Sequence, residues 1–282
     1  MPTEKLLVAN RSEIAIRIMR AATELGLRTV AIYAEEDKLA LHRFKADESY
    51  RVGAGLGPVK AYLDIDGIIA IAKKCGATLI HPGYGFLSEN PDFAEACAAA
   101  GLTFVGPSPD VMKSLGNKVA ARNMAVEADV PVVPATGPLP EGSEDWDRMA
   151  EGVGYPLMLK ASWGGGGRGM RVIEDASQLH DQARAGRREA EAAFGNGEVY
   201  LEKLIRKARH IEVQILGDSH GNLVHLFERD CTVQRRNQKI IERAPAPDMD
   251  AETRAAICEE ALRLVRHAGH SGAGTVEFLR DE

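Results

Sequence analysis

A single carboxylate stands in an otherwise apolar segment near the end of the sequence. Glu277 occupies the middle of Thr275–Leu279, which reads Thr-Val-Glu-Phe-Leu and is typical of a strand. Burying a carboxylate is costly unless a cation or a metal pairs with it, so Glu277 is a candidate ligand for a hard divalent metal ion. A buried ion pair and a solvent-facing position on an edge strand are the alternatives.

A lysine precedes a glycine-rich run. Lys160 ends the apolar run Leu157–Leu159, and the run Gly164–Gly169 follows shortly afterwards. Because Met170–Ile173 reads as another strand, the glycines join strand to strand, as in a flap whose backbone N–H groups approach nucleotide phosphates. Lys160 then stands where a phosphate-binding cation is expected. A flexible loop and a surface lysine are the alternatives.

The same glycines also match a dinucleotide-binding pattern. Gly164, Gly166 and Gly169 satisfy G-x-G-x-x-G, but that fingerprint must open a helix, whereas this run opens a strand. The phosphate-binding pattern that ends in Lys-Ser or Lys-Thr is absent from the sequence. The context therefore disfavours an NAD-dependent oxidoreductase.

Polar side chains alternate along a second candidate strand. His210, Glu212 and Gln214 share one face of the segment His210–Ile215, and the apolar residues between them share the other. For Glu212 a merely solvated face is an equal alternative. The segment Glu228–Lys239 crowds charged and amide side chains together without interleaved aromatics, which favours a site for a small anion over a nucleic-acid groove.

The elements that position these residues fall into two regions. In the first hundred or so residues, apolar runs alternate with helical patterns, which predicts a parallel, doubly wound sheet with a binding edge at the carboxyl ends of its strands. The predicted elements are strand Lys5–Ala9, helix Glu13–Leu25, strand Thr29–Tyr33, helix Ile65–Cys75, strand Thr78–Ile80, helix Pro91–Ala100 and strand Leu102–Val105.

A proline-rich connection from Val130 to Pro140 marks a break, and an antiparallel α+β region is predicted after it. Its predicted elements are strand Leu157–Ala161, strand Met170–Ile173, helix Ala176–Ala193, strand Val199–Lys203, strand His210–Leu216, strand Leu223–Glu228, helix Asp250–Ala268 and strand Thr275–Leu279.

Composition limits the class of protein. With 282 residues, 45% hydrophobic residues and a net charge of −6, the chain is predicted to be globular and to bind neither nucleic acid nor an anionic membrane. No apolar run is long enough to span a bilayer, and Met1–Leu6 does not resemble a secretory leader. The four scattered cysteines suit reduced, buried thiols, so a cytoplasmic location is expected and structural zinc is not.

Five motifs stand out along the sequence: Val8–Ala15, His81–Asn90, Gly164–Met170, Arg209–Gln214 and Gly272–Leu279. Through them the sequence resembles the biotin carboxylase domain of the biotin-dependent carboxylases, an ATP-grasp enzyme. The resemblance covers essentially the whole sequence, and three further segments look most like the pyruvate carboxylase subfamily: Ala21–Gly26, Gly55–Leu63 and His210–Gly217.

The resemblance implies a fold and a set of domains. Residues 1–115 are expected to form a Rossmann-like doubly wound parallel sheet, and residues 116–282 an ATP-grasp α+β domain with a flap subdomain at about 135–203. Family members continue beyond the strand of Glu277 with a second metal-binding Glu, an Asn, a catalytic Arg and another subdomain. We therefore expect this sequence to be a C-terminally truncated version of the domain, its amino-terminal part.

The resemblance also implies an activity. MgATP or MnATP would activate bicarbonate as carboxyphosphate, and the carboxyl group would pass to N1 of biotin held on a separate carrier domain. The longer parent protein is expected to form homo-oligomers. Two alternatives remain: a nucleotide-binding module that performs no chemistry, and the corresponding part of an acyl-CoA carboxylase, because the carboxyl acceptor binds elsewhere.

Residue roles follow from the same resemblance, position by position. Lys239 and Glu277 are the implied catalytic residues, Lys239 as the bicarbonate-binding cation and Glu277 as the metal ligand. The implied nucleotide-binding residues are Lys118 and Lys160 at the phosphates, Gly165 and Gly166 in the flap, Glu202, Lys203 and Ile205 around the adenine and hinge, His210 and Gln234 at the ribose, and Asn237 in the nucleotide-contacting pattern.

Three positions depart from the family's usual pattern. The family usually has glycine where Ser12 stands, aspartate where Asn117 precedes Lys118, and histidine where Asn237 stands. Because asparagine can still donate a hydrogen bond, weaker nucleotide binding is expected at Asn237 rather than its loss.

Overall fold

A computed structural model describes residues 4–163, 170–235 and 238–281. The chain divides into two compact units, Met1–Lys113 and Ser114–Glu282. Each unit has its own sheets, and the residues singled out in the sequence for nucleotide and metal binding all belong to the second.

The first unit is built on a five-stranded sheet in the order β3-β2-β1-β4-β5, and every neighbouring pair is parallel. This confirms the predicted parallel, doubly wound sheet. Its elements are β1 (Lys5–Val8), α1 (Ser12–Glu24), β2 (Arg28–Tyr33), β3 (Glu48–Arg51), α2 (Ile65–Cys75), β4 (Leu79–His81), α3 (Pro91–Ala99), β5 (Thr103–Phe104) and α4 (Pro109–Gly116), with 3₁₀ turns at Glu35–Asp37, Leu41–Lys45 and Lys60–Leu63.

Strand β1 lies at the centre of this sheet and is covered on both faces. Leu7 packs into one apolar cluster with Ile80 and Phe93, while Val8 packs into another with Met19. A strand buried on both faces needs an unbroken apolar sequence, which is why Leu6–Val8 does not alternate.

Asn10 links the segments that follow the neighbouring strands β1 and β4 of the first unit. Asn10, which follows β1 and is buried, donates from Nδ2 to the carbonyl oxygen of Pro82 at 2.7 Å and to that of Tyr84 at 2.8 Å. The segments that follow β1 and β4 therefore meet at one edge of the sheet, as their strand positions predict.

The second unit contains two antiparallel sheets, in the orders β6-β9-β7-β8 and β12-β11-β10-β13. Its elements are α5 (Lys118–Glu127), β6 (Ala135–Pro138), α6 (Trp146–Val153), β7 (Leu157–Ala161), β8 (Arg171–Ile173), α7 (Ala176–Phe194), β9 (Val199–Lys203), β10 (Arg209–Gly217), β11 (Leu223–Arg235), β12 (Gln238–Arg243), α8 (Ala251–His267) and β13 (Gly272–Arg280).

Two features of this unit bear on the sequence predictions. Strands β7 and β8 pair with each other, so the glycine run between them does join strand to strand, which confirms the context that disfavoured a dinucleotide fingerprint. Strand β11 was predicted to end at Glu228 but runs to Arg235. Its charged second half stays in the sheet because β10 and β12 offer pairing partners on both sides.

The described residues bear on two further expectations, concerning a membrane-spanning segment and the state of the cysteines. Among the described residues, no helix has the length and apolar character needed to cross a bilayer. The four cysteines are all buried and unpaired, as predicted: Cys75, Cys97, Cys231 and Cys258.

Candidate active site

The candidate site lies on one face of the sheet formed by β12, β11, β10 and β13. On the opposite face, Val213 and Ile215 of β10 are fully buried and pack against Cys258 and Leu262 of α8. Since successive side chains of a strand point to opposite faces, this packing leaves the polar side chains of β10 on the other face. The alternation predicted from the sequence is confirmed.

Two carboxylates and a lysine form the centre of the site. Glu212 on β10 lies directly opposite Glu277 on β13 in the strand register. The Nζ atom of Lys239, on β12, contacts Oε2 of Glu212 and lies 2.7 Å from Oε1 of Glu277. Lys239 therefore stands between the carboxylates and offsets their repulsion.

Glu212 is a buried anion that is held by two cations. Only 3% of its surface is exposed, and the Arg229 guanidinium contacts its Oε1 atom while Lys239 contacts Oε2. Burial alone would raise the pKa of Glu212, but the hydrogen bonds from Lys239 and Arg229 outweigh it and lower the pKa below its usual value. The interpretation of Glu212 as a merely solvated residue is therefore wrong.

The exposure of the Glu277 side chain differs from the expectation. Glu277 was expected to be buried, yet its side chain is 54% exposed, because β13 lies at the edge of the sheet. The side chains of His210, whose Nε2 atom is 3.6 Å away, and Lys239 lower the pKa of Glu277 to about 2 in spite of the opposing effect of burial. Glu277 is thus an accessible carboxylate that stays ionised.

Lys239 remains a cation in this setting. Partial burial would lower the pKa of its ammonium group, but the hydrogen bonds and charges of Glu212 and Glu277 outweigh burial and raise the pKa above its usual value. A lysine held protonated can bind an anion, but it cannot accept a proton.

His210 and Gln234 are direct neighbours beside this centre. The Nε2 atom of Gln234 lies 2.8 Å from Nδ1 of His210 and also donates to the carbonyl oxygen of Cys231 at 2.9 Å. The structure thus brings together four of the residues selected from the sequence: His210, Gln234, Lys239 and Glu277.

The donor set fits a hard divalent cation. His210, Glu212 and Glu277 offer ligand atoms that all lie within 4.8 Å of one another. Both oxygens of Glu212 already have cationic partners, so Glu277 is the carboxylate with room for a metal ion. Mg²⁺ is usually held by one or two carboxylates together with substrate phosphates, and one accessible, ionised carboxylate suits that arrangement.

A second group of selected residues lies on the sheet of β6 to β9. The Nζ atom of Lys160 on β7 contacts Oε1 of Glu202 on β9, and their side chains are only 20% and 13% exposed. Next along β9, Lys203 donates to the carbonyl oxygens of Gly154 at 2.9 Å and Tyr155 at 2.7 Å. The ammonium group of Lys203 therefore binds to the end of α6.

The remaining residues selected from the sequence are Lys118, Ile205, Gly165, Gly166 and Asn237. The backbone N–H of Lys118, at the start of α5, donates to the carbonyl oxygen of Ser162 at 2.9 Å, which brings this lysine to the end of β7. Ile205 follows β9 and is partly buried. Gly165, Gly166 and Asn237 lie outside the described residues.

Arg229 was not selected from the sequence, yet it connects several site residues. It contacts Glu212, and its NH1 group donates to Oε1 of Gln214 at 2.9 Å. The signal that could have identified it is the charge pattern: an arginine in the crowded segment Glu228–Lys239 can face the polar side of the adjacent strand.

Comparison with protein-family models gives two adjoining matches. Residues 2–112 match the biotin carboxylase N-terminal domain, and residues 117–282 match the ATP-binding domain of the carbamoyl-phosphate synthase L chain. This chain belongs to the biotin carboxylase family. The resemblance inferred from its motifs is therefore confirmed.

Curated relatives of this biotin carboxylase chain are pyruvate carboxylases. It is 56% identical over 279 residues to pyruvate carboxylase 1 of Caenorhabditis elegans and 54% identical over 277 residues to pyruvate carboxylase of Staphylococcus aureus. These matches cover 99% and 98% of the chain, but the chain spans only 24% of the length of either relative.

Solved structures confirm the ATP-grasp architecture of the biotin carboxylase chain. A structure of Rhizobium etli pyruvate carboxylase with the allosteric activator acetyl coenzyme-A has a TM-score of 0.93 and 61% identity, covering all of this chain and 25% of that one. The biotin carboxylase domain dimer of Hydrogenobacter thermophilus 2-oxoglutarate carboxylase, in complex with MgADP, ADP and bicarbonate, has a TM-score of 0.95 and 44% identity, covering 99% and 61%.

Proposed function

We propose that this chain provides the nucleotide- and bicarbonate-binding part of a biotin carboxylase of the pyruvate carboxylase type. The observation that carries the proposal is the placement of Lys239 between Glu212 and Glu277, with His210 and Gln234 beside them. An anion-binding ammonium group next to an accessible carboxylate matches what bicarbonate and a metal-bound phosphate require. The domains are proposed as residues 1–115 and 116–282, with the flap subdomain at about 135–203.

Each selected residue is proposed to act on one part of the substrates. Lys118 and Lys160 bind phosphates, His210 and Gln234 face the ribose, Lys239 binds bicarbonate and Glu277 holds the metal ion. The adenine and hinge region comprises Glu202, Lys203 and Ile205, and the flap and the nucleotide-contacting pattern contribute Gly165, Gly166 and Asn237.

The proposed reaction has two steps. An oxygen of bicarbonate bonds to the γ-phosphorus of ATP while the bond from that phosphorus to the bridging oxygen of ADP breaks, giving carboxyphosphate and ADP. The carboxyl group then passes to N1 of biotin, the phosphate leaves, and the N1 proton leaves with it. A bound Mg²⁺ or Mn²⁺ would supply charge neutralisation between the phosphates.

Lys239 contributes by holding an anion in place. Because its two carboxylate partners keep it protonated, it can bind the negative charge of bicarbonate beside the phosphates. Glu212, which is itself held by Arg229, orients Lys239 from the buried side of the site. These residues bring two anions together, which unaided would repel each other.

The proposed partners follow from the proposed activity. The carboxyl acceptor in the half-reaction is biotin on a carrier domain, and pyruvate is the proposed final acceptor, with an acyl-CoA as the alternative. The parent protein is proposed to form homo-oligomers and to bind neither nucleic acid nor membrane. A cytoplasmic location is proposed, although a rat relative at 52% identity is a mitochondrial pyruvate carboxylase.

Two measurements test the function. A thermal-shift titration with MgATP, with NAD as the control ligand, should raise the melting temperature with MgATP alone, because a ligand that binds only the folded state stabilises it. ADP release is then measured with free biotin, in the presence and absence of bicarbonate. Bicarbonate-dependent release supports the enzyme, binding without release supports the non-catalytic module, and no shift with MgATP contradicts both.

A further inference from the structure

Glu202 and Lys160 neutralise each other in the structure. Oε1 of Glu202 contacts Nζ of Lys160, and the two side chains are mostly shielded from water. Met158 is the register partner of Glu202 and Tyr200 is the register partner of Lys160, so the ion pair runs diagonally between β7 and β9. Side chains at this diagonal spacing on one face are within reach of each other.

The carboxylate of Glu202 has a second partner on its own strand. The hydroxyl group of Tyr200 donates to Oε2 of Glu202 at 3.4 Å. Burial raises the pKa of this hydroxyl far above its usual value, so it remains a donor. Glu202 would therefore keep a hydrogen-bonding partner if Lys160 moved away from it.

We propose that Glu202 is the counterion of Lys160 when no nucleotide is bound, and that it releases Lys160 when a nucleotide phosphate takes its place. This inference rests on the proposed function, because it requires that Lys160 binds a phosphate. Glu202 acts through Lys160, so its role here is that of a positioning residue that sets how strongly the lysine binds a phosphate.

The exchange makes a nucleotide phosphate compete with Glu202 for Lys160. A half-buried ammonium group needs an anion, and the carboxylate supplies one until a ligand offers more charge. A phosphate chain carries several negative charges and can replace the single charge of Glu202, whereas adenosine cannot. The ion pair therefore opposes the binding of every phosphorylated ligand by the same amount and leaves adenosine unaffected.

The test compares ligands that differ only in their phosphates. Calorimetric affinities for ADP and adenosine are measured with Mg²⁺ for the wild-type chain and for Glu202→Gln, which keeps the shape of the side chain and removes its charge. The ratio of ADP affinity to adenosine affinity is expected to rise about threefold to tenfold. Glu144→Gln removes an exposed carboxylate from the connection between β6 and α6 and is expected to leave the ratio unchanged.

The possible outcomes are distinct. If Glu202 contacts only the adenine, Glu202→Gln weakens ADP and adenosine equally and the unchanged ratio overturns the inference. If Glu202 holds Lys160 in position for the phosphate, the ratio falls, which also overturns it. A wild-type chain that binds neither ligand contradicts the proposed function and the inference together, whereas binding of both with an unchanged ratio contradicts the inference alone.

If Glu202→Gln does not fold, a second variant tests the inference. Glu202→Asp keeps the charge but withdraws the carboxylate by one methylene group from Lys160. It should raise the ADP to adenosine ratio by a smaller factor than Glu202→Gln, and a ratio equal to the wild-type value or below it counts against the exchange.

Discussion

Glu212 and Glu277 lie directly opposite one another on neighbouring antiparallel strands, and the ammonium group of Lys239 touches both. Like charges in this relationship destabilise a sheet. The cohesion of the site therefore depends on Lys239, together with Arg229 beside Glu212, and the proposed binding of an anion depends on the same lysine. The stability and the chemistry of the site are coupled through Lys239.

Replacing Lys239 with methionine should destabilise the fold. Lys239→Met keeps much of the side-chain volume but leaves the carboxylates opposed, and we expect the free energy of unfolding at pH 7 to fall by about 1–3 kcal/mol. Urea unfolding followed by circular dichroism measures this change. Lys207→Met, at an exposed lysine, is the matched control, and an equal loss in the two variants would contradict the bridging role.

The contribution of Glu277 should depend on pH. Its pKa is about 2 in the folded protein and 4.5 is the ordinary value, so its contribution to stability is fully present above about pH 4.5 and is lost as the pH falls toward 2. The difference in stability between the wild type and Glu277→Gln should therefore shrink over this range. Urea midpoints at a series of pH values measure it, and a difference that stays constant would disprove the effect.

Glu277 should also distinguish metal-bound from metal-free nucleotide. If its carboxylate holds the metal ion, Glu277→Gln weakens the binding of MgATP more than the binding of ATP in the presence of EDTA. Calorimetry under both conditions gives the two ratios. Glu259→Gln, at an exposed carboxylate on α8, controls for the change in charge, and equal effects with and without metal would exclude the metal role.

Asn117 should be important as a helix cap. Its Oδ1 atom accepts hydrogen bonds from the backbone N–H groups of Val119 and Ala120, both at 2.9 Å. Asn117→Ala should lower the free energy of unfolding by about 0.5–2 kcal/mol, whereas Asn117→Asp, the residue usual in the family, caps equally well and should not. Thermal melts of both variants test this, and an unchanged stability of Asn117→Ala would show that the cap contributes nothing.

Ser12 should tolerate glycine better than any larger residue. Its φ angle is +59°, in the left-handed region that glycine adopts without a steric cost. Ser12→Gly should raise the free energy of unfolding by about 1 kcal/mol or less, and Ser12→Val should lower it by a similar or larger amount. Thermal melts measure both changes. The control is Ser177→Gly in the first turn of α7, where the φ angle is not positive. This change should lower the free energy of unfolding, and a rise would contradict the explanation from backbone conformation.

Local signals in the sequence predicted several elements to the residue. Helix α2 runs over Ile65–Cys75 as predicted, because Gly76 ends it with a φ angle of +68°. Strands β7 and β9 also have their predicted bounds, and each begins with three consecutive apolar residues. In these elements the local preference and the tertiary structure agree.

Strands β11 and β12, which contain many polar and charged residues, were harder to predict from the sequence. β12 was not predicted, and β11 was predicted too short, because their sequences are polar. Asp230 stays in β11 while buried because Arg209 and Arg243 bind its Oδ2 atom at 2.7 and 3.1 Å. Such compensation comes from distant parts of the sequence and leaves no local pattern.

The candidate site could be predicted from the sequence only to the same extent. The alternation in β10 predicted which face Glu212 would occupy, but its burial depends on Arg229 and Lys239, which are 17 and 27 positions away. Conversely, the apolar neighbours of Glu277 suggested burial, and the position of β13 at the edge of the sheet prevented it. The types of residue and their spacing in the sequence therefore predicted which side chains belong to the site. The order of the strands in the sheet decided how exposed those side chains are.

The order of the strands also has a consequence for folding. β10, β11 and β12 follow one another along the chain and pair as neighbours, so Lys239 can reach Glu212 through local pairing alone. β13 pairs with β10 only after α8 has been traversed, which closes a much longer loop. During folding, the half of the site that holds an anion should thus assemble before Glu277 arrives, and docking of the last strand completes it.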